Sequence, residues 1–114
     1  MTPAGGPGMA KVEVYTNKGC GACVRAKNHL DSKKVDFIEH RLGKSRRIDA
    51  EFSLRTKGAK SIPQIFINDE WIGGFDDMIR FDNNGELNWR LGLEPKPKVS
   101  FTTRILRYLS GHKY

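Results

Sequence analysis

The sequence predicts an α/β domain built on one small mixed sheet of four strands, with helices on both faces. Short β-prone runs alternate with longer runs of helical spacing, in the order β-α-β-α-β-β-α. The first β-α-β crossover implies two parallel strands, and a two-residue turn later in the chain implies an added antiparallel strand. A chain of 114 residues fits one domain with one core.

The first β-α-β unit lies in the N-terminal third of the chain. Residues 11–16 alternate in the manner of a strand, and residues 21–33 have helical spacing with Cys20 near the N-cap. The apolar run at 35–39 predicts the second strand. This unit therefore places Cys20 at a turn from strand to helix.

A second helix is predicted from Lys44 to Lys57, ending at Gly58. Its core-facing positions are expected to be Ile48 and Phe52, followed by either Leu54 or Arg55 at the next turn. The helix would cover one face of the sheet.

A hairpin and two short helices complete the domain. Residues 62–67 form a strongly β-prone run, and Asn68-Asp69 predicts a two-residue turn into a strand at 70–72. The next helix is expected to begin at Phe75, and a further short helix is expected over 86–91.

Both chain ends differ in composition from the domain at 10–92. Residues 1–9 are rich in Gly and Pro, which predicts a disordered segment or a remnant of cloning. Pro95 and Pro97 mark a break near the start of a basic C-terminal extension at 93–114, and beyond them Phe101, Ile105 and Leu109 recur at helical spacing. A helix packed on the domain and a basic amphipathic partner-binding segment are both compatible with this pattern.

The charge and the cysteine content of the chain limit the classes of function that it can have. The net charge of +7 is spread along the chain, which favours a solvated basic surface over nucleic-acid binding. No apolar run is long enough for a membrane span and no signal peptide is visible, so a cytoplasmic protein is expected. In that reducing compartment, a catalytic or metal-binding cysteine pair is favoured over a structural disulfide. With two cysteines and no paired histidine spacing, a closed zinc site is disfavoured and no metal is expected on one chain.

The cysteine pair is Cys20-Gly21-Ala22-Cys23. Two thiols at this spacing can close a small disulfide ring. The positive end of the helix favours the thiolate form of Cys20, because free N–H groups and the helix dipole stabilise an anion there. A stabilised thiolate is both a nucleophile and a good leaving group, which thiol–disulfide exchange requires.

Three separated motifs agree on one family. They read GCGACVRAK at 19–27, KGAKSIPQIFI at 57–67 and IGGFDD at 72–77. In this order they resemble the motifs of a dithiol glutaredoxin over residues 10–92. The resemblance implies a thioredoxin-like fold with residues 93–114 as an extra C-terminal segment. Thioredoxin itself fits less well, because the Trp before its first cysteine and the Pro between its two are both absent.

The resemblance also implies an activity. Cys20 would be the nucleophile and Cys23 the resolving thiol of a monomeric glutathione-dependent oxidoreductase. Its substrates would be protein disulfides and protein–glutathione mixed disulfides, with glutathione as cosubstrate. Ribonucleotide reductase is a family-typical electron acceptor, although no residue here identifies it.

The glutathione site follows from the same resemblance. Pro63 would be the cis-proline facing the active site, and the Ile62 backbone would pair with the cysteinyl part of glutathione. The start of the helix at Asp76 and Asp77 would bind the γ-glutamyl group. The complete set of implied glutathione-binding residues is Lys18, Lys60, Ile62, Pro63, Gly74, Asp76 and Asp77.

One departure from the family opens an alternative. The commonest motif has Pro and Tyr where this chain has Gly21 and Ala22. Family members that lack the proline include binders of a [2Fe–2S] cluster, held between two chains by Cys20 of each and two glutathiones. A carrier of such a cluster is therefore the alternative function. The basic extension leaves a third, an adaptor that docks an acidic partner.

Overall fold

The computed structural model describes residues 10–95. The predicted order of elements is confirmed. The elements are β1 (Val12–Thr16), α1 (Gly21–Ser32), β2 (Ile38–Arg41), α2 (Arg46–Thr56), β3 (Gln64–Ile67), β4 (Glu70–Gly73), α3 (Phe75–Asn83) and α4 (Leu87–Arg90). The predictions for residues 1–9 and for the helix beyond Pro97 lie outside the described residues.

The sheet has the strand order β2-β1-β3-β4. β1 pairs in parallel with β2 and antiparallel with β3, and β3 pairs antiparallel with β4. Val14 illustrates the central position of β1, since it pairs with Glu39 on one side and Ile65 on the other. The predicted mixed four-stranded sheet is thus confirmed. The carboxyl end of β1 leads directly into the turn that carries Cys20.

The hairpin turn takes the form that the dipeptide predicted. Asn68 and Asp69 both have positive φ, at 52° and 68°, which a two-residue turn of the twist-matched type requires. The Asn68 side chain also accepts a hydrogen bond from the Lys11 N–H at 2.9 Å. The turn therefore sets the β3–β4 register and is tied to the start of β1.

The prediction of the second strand at 35–39 is wrong in its position. Val35 is buried, but it lies in the turn after α1, where its N–H donates to the Leu30 carbonyl at 3.1 Å. The ladder begins only at Ile38, which pairs with Glu13. The apolar residues at 35–37 close the end of the core, and the parallel register with β1 determines where pairing starts.

Two apolar cores flank the sheet. One lies under α1, α3 and α4 and includes Val14, Leu30 and Met78. The other lies under α2 and is built from Tyr15, Phe52 and Phe66. Helices on both faces explain why all five residues of β1 are buried.

A partly buried ion pair borders the second core. Of the two candidate positions on α2, Arg55 faces the sheet and Leu54 is 81% exposed. The Arg55 guanidinium lies 3.9 Å from the Phe66 ring centroid and donates two hydrogen bonds of 3.1 Å to the carboxylate of Glu13. Burial alone would raise the pKa of Glu13, but the hydrogen bonds from Arg55 and His40 outweigh it and lower the pKa. Glu13 is therefore a charged, paired residue of β1.

Candidate active site

The cysteine turn places one sulfur at the end of a helix. Cys20 is the N-cap of α1, and its Sγ accepts the Cys23 N–H at 3.0 Å. The two cysteines form a disulfide with a Cα–Cα distance of 5.2 Å. Cys20 is half-buried, whereas Cys23 is 2% exposed. Only the Cys20 sulfur is therefore open to an incoming substrate.

The loop before β3 lies against this turn. The Ile62–Pro63 peptide bond is cis, as the resemblance implied, and Pro63 is buried. The Ile62 carbonyl oxygen lies 4.0 Å from the Cys20 Sγ. The backbone of Ile62 thus borders the reactive sulfur, although the two residues are 42 positions apart in the chain.

A buried glutamine holds this loop in place. The Gln64 side-chain amide donates to the backbone oxygen and to the hydroxyl of Ser61, each at 3.1 Å. Its Oε1 accepts the indole N–H of Trp71 at 2.8 Å. The Trp71 ring is stacked against Phe66 with an interplanar angle of 19°. Residues of β3 and β4 therefore fix the two ends of the Ser61–Gln64 segment.

The glycine pair lets α3 begin close to Pro63. Gly73 has φ at 110°, and a side chain there would collide with the Asp77 carboxylate. Gly74 is the N-cap of α3, and a Cβ on it would lie 3.2 Å from the Pro63 carbonyl oxygen. The Gly74 N–H donates to Asp77 Oδ2 at 2.9 Å, and Asp77 Oδ1 pairs with Arg80. Both oxygens of Asp77 therefore already have partners.

A cavity of about 340 Å³, here called the proline-loop cavity, lies between these segments. It is lined by Ala22, Arg25, Ser61, Ile62, Pro63, Gln64, Gly74, Phe75, Asp76 and Asp77. The structure thus brings together five of the seven residues that the sequence assigned to glutathione. Lys18 and Lys60 are not among its lining residues, and both are exposed.

The sequence reasoning missed five of the lining residues, which are Ala22, Arg25, Ser61, Gln64 and Phe75. The Arg25 guanidinium lies 5.6 Å from the centre of the Phe75 ring, at one edge of the cavity. Arg25 follows Ala22 by three residues, so helical spacing from the cysteine turn would have found it. Gln64 follows Pro63 directly, but nothing in the sequence indicates that its side chain turns back towards Ser61.

A second depression, of about 360 Å³, is here called the basic depression. It is lined by Asn17, Lys18, Gly19, Cys20, Gly21, Cys23, Val24, Lys27 and Arg41. Beside it, Glu39 Oε2 accepts hydrogen bonds from Thr16 at 2.6 Å, Lys27 at 3.0 Å and Arg41 at 3.5 Å. The bond from Thr16 is the main cause of the lowered pKa of Glu39. Lys18 therefore lies with other cations beside Cys20, in a different depression from Asp77.

Residues 10–95 contain neither a metal-binding cluster nor a membrane-spanning helix. Within 10–95, no group of three or more His, Cys, Asp or Glu side chains has an arrangement that would hold a metal ion. None of the helices in this part of the chain has the length and apolar content needed to cross a bilayer.

Comparison with known proteins decides the family. Residues 12–72 match the family model described as Glutaredoxin. The chain belongs to the glutaredoxin family. A protein described as a probable glutaredoxin from Synechocystis is 40% identical over 88 residues, which is 77% of this chain and 81% of that protein. The family assigned from the three motifs is therefore confirmed.

Solved glutaredoxin structures share the fold. The solution structure of glutaredoxin from Brucella melitensis has a TM-score of 0.66 and 33% identity, covering 77% of this chain and 95% of that one. The buckwheat glutaredoxin–glutathione complex has a TM-score of 0.64 and 26% identity, covering 72% of this chain and 76% of that one. The thioredoxin-like fold is confirmed by these neighbours.

Proposed function

We propose that this glutaredoxin is a glutathione-dependent thiol–disulfide oxidoreductase of the cytoplasm. Its substrates are protein disulfides and protein–glutathione mixed disulfides. The observation that carries the proposal is the position of the Cys20 sulfur, at the N-terminus of α1 and 4.0 Å from the Ile62 carbonyl oxygen. Ile62, which the half-buried sulfur approaches, lines a cavity of about 340 Å³ that can take part of a tripeptide.

The two cysteines have different roles. When the disulfide is reduced, the Cys20 thiolate keeps the hydrogen bond from the Cys23 N–H and lies at the positive end of α1. Both effects stabilise the thiolate, so Cys20 is the nucleophile. Cys23 is buried and reaches only Cys20, so it acts as the resolving thiol.

Reduction of a protein–glutathione mixed disulfide needs Cys20 alone. Its thiolate attacks the glutathionyl sulfur, the bond to the protein sulfur breaks, and the protein thiolate leaves and takes up a proton. A second glutathione thiolate then attacks the glutathionyl sulfur held on Cys20. Oxidised glutathione is released, and the Cys20 thiolate is regenerated for another cycle.

Reduction of a protein disulfide needs both cysteines. The Cys20 thiolate attacks one sulfur of the target and forms an intermolecular disulfide. The Cys23 thiolate then attacks Cys20 Sγ, the target leaves as a dithiol, and the Cys20–Cys23 disulfide forms. The Cys20–Cys23 disulfide of the structure corresponds to this proposed oxidised state. Two molecules of glutathione reduce it and leave as one molecule of oxidised glutathione.

The proline-loop cavity is the proposed glutathione site. The Ile62 backbone pairs with the cysteinyl unit, in the manner of an added strand. The N–H groups at the start of α3, near Asp76 and Asp77, receive the γ-glutamyl carboxylate. The Asp77 carboxylate receives the ammonium group of the γ-glutamyl unit. The same carboxylate also forms an ion pair with Arg80. The known glutathione complex of a buckwheat relative supports this choice of ligand.

The lysines are proposed to serve the glycine carboxylate less directly. Lys60 is exposed, just before the Ser61–Gln64 segment, and Lys18 lies in the basic depression. Neither lines the proline-loop cavity, so each contributes positive potential and makes no contact there in the present arrangement.

The test is turnover of a glutathionylated peptide, coupled to NADPH through glutathione reductase. Cys20→Ser removes the nucleophile and is expected to abolish all turnover. Cys23→Ser is expected to keep deglutathionylation and to lose reduction of a protein disulfide. Full activity of Cys20→Ser would refute the assignment, and negligible turnover of folded, reduced wild-type protein would refute the function.

A glutathione-ligated [2Fe–2S] carrier is the second candidate. Gly21 is exposed and Ala22 is small, so the space beside Cys20 is open. One accessible thiolate per chain suits a cluster shared by two chains and two glutathiones, because Cys23 is too buried to take part. Anaerobic reconstitution with iron, sulfide and glutathione, followed by size-exclusion chromatography, is the test. A brown dimer that Cys20→Ser cannot form supports the carrier, and a colourless monomer excludes it.

A further inference from the structure

The basic depression and the proline-loop cavity lie on opposite flanks of α1. Ala22 and Arg25 line the cavity, whereas Val24 and Lys27 line the depression. Successive residues of an α-helix are rotated by about 100°, so positions two apart lie about 200° from each other. Cys20 lines the depression, and its Sγ lies 4.0 Å from the carbonyl oxygen of Ile62, which lines the cavity. A glutathione in the cavity therefore leaves the other flank of the reactive sulfur free for a second molecule.

The basic depression carries positive charge that its own carboxylate does not neutralise. Lys27 and Arg41 both contact Glu39, and Lys18 makes no ion pair within residues 10–95. The contact from Arg41 to Glu39 is long, at 3.5 Å, and the buried Arg41 Nε has no hydrogen-bond partner among the described residues. Three cations thus line the depression beside one carboxylate, and the Arg41 guanidinium makes only one long side-chain hydrogen bond within the described residues.

Hydrogen bonds to Glu39 hold Lys27 and Arg41 in the depression that Cys20 also lines. Glu39 anchors the Lys27 ammonium at 3.0 Å and is itself fixed by the Thr16 hydroxyl at 2.6 Å. The lowered pKa of Glu39 keeps that anchor ionised at neutral pH. A carboxylate entering the depression would meet the Lys27 ammonium, which Glu39 holds in place, and the Arg41 guanidinium. Two cations arranged in this way are a favourable site for an acidic side chain.

We propose that the basic depression docks an acidic side chain that flanks the reactive cysteine of a target protein. The inference rests on the proposed oxidoreductase function and deepens it, because it names the targets that the site prefers. Lys27 and Arg41 give the main contacts, and Lys18 adds attraction at longer range. Targets with Asp or Glu near their cysteine are then reduced faster than neutral or basic targets.

The experiment compares glutathionylated peptides that are identical except for the residues flanking cysteine, which are Glu, Gln or Lys. We expect wild-type kcat/KM to favour the Glu peptide over the Lys peptide by about tenfold at low ionic strength. The preference should shrink at about 0.15 M salt, because a partly exposed charge contact is screened. Arg41→Gln and Lys27→Gln should each lower it by about threefold.

The matched control is Arg47→Gln, which removes a positive charge from the exposed surface of α2. It changes the net charge equally and should leave the preference as in wild type. Circular dichroism and thermal unfolding show that each variant is folded. If neither Arg41→Gln nor Lys27→Gln alters the preference, or if Arg47→Gln alters it equally, the docking site is refuted.

A glutathione titration distinguishes docking of the target protein from binding of glutathione itself in the basic depression. If Arg41→Gln raises the KM for glutathione alike with all three peptides, the depression receives the glycine carboxylate of glutathione, and the proposal is overturned. An unchanged KM with a reduced Glu preference supports it. Absence of turnover on every peptide would refute the underlying function and this inference together, whereas equal turnover of the three peptides by wild-type protein would refute this inference alone.

Discussion

The hydrogen bond from Trp71 to Gln64 provides a sharp test of how the active-site loop is held. Trp71→Phe removes the indole N–H that donates to Gln64 Oε1 at 2.8 Å, but it keeps an aromatic ring against Phe66. Gln64 is only 5% exposed, so its amide oxygen loses its partner in a nearly dry environment. Its amide is then free to rotate away from Ser61.

The energetic cost of Trp71→Phe depends on how deeply the Gln64 amide is buried. A buried polar group without a partner costs about 1–3 kcal/mol. Trp71 is 42% exposed, so water can reach the position that the indole N–H leaves. We therefore expect the free energy of unfolding to fall by about 1 kcal/mol, at the lower end of that range. We expect this cost to appear mainly as a less ordered Ile62 backbone, which binds glutathione more weakly. Since 1.4 kcal/mol corresponds to a factor of about ten, a cost of about 1 kcal/mol raises the KM for glutathione by about fivefold. The kcat for deglutathionylation should change little, because Cys20 keeps its own contacts.

Initial rates against glutathione concentration measure the effect, together with the free energy of unfolding in urea. Asn68→Ala is the matched control, because it removes the bond to the Lys11 N–H in the same hairpin and leaves Gln64 untouched. It should lower stability by about 1 kcal/mol without raising the KM. In a Gln64→Ala background, Trp71→Phe should add nothing further. An unchanged KM in Trp71→Phe, despite lowered stability, would show that Trp71 only supports the fold.

Three further predictions concern close packing and pH. Gly74→Ala places a methyl group 3.2 Å from the Pro63 oxygen, so we expect the KM for glutathione to rise by about tenfold, and an unaltered KM in a glutathione titration would contradict the close contact. Burial above all raises the pKa of Tyr15 to about 12, so folding stability is complete below pH ~10 and falls as the pH rises from there towards 12. Tyr15→Phe should remove that alkaline dependence in urea unfolding at a series of pH values, and an identical slope would refute it. Burial alone would raise the pKa of Asp82, but hydrogen bonds led by that from His29 lower it, so its contribution is present above pH ~4 and is lost as the pH falls below that value. The stability difference between wild type and Asp82→Asn should therefore be present at pH 7 and vanish in acid, and a constant difference would contradict the assignment.

Features determined by a few neighbouring residues could be predicted from the sequence. The cysteine turn, the Asn68-Asp69 hairpin and the order of elements all depend on local geometry, namely helix capping, positive φ and alternating burial. The β2 strand could not be placed in the same way, because Val35 is buried for a reason unrelated to strand pairing. Burial is a property of the whole core, and the sequence pattern alone does not separate a buried turn from a buried strand.

The sequence by itself determined the family and half of the residues that line the proline-loop cavity, because those residues lie in recognisable motifs. Tertiary structure decided which side chains meet across the fold. Arg25 reaches Phe75, and the Gln64 side chain turns back to Ser61. Lys18 lies in the same depression as Arg41, and not in the cavity that Asp77 lines. These contacts depend on the rotation of α1 and on strand register, which set side-chain positions to within an ångström or two. Residue type and spacing along the chain do not contain that information until the sheet and helices have packed.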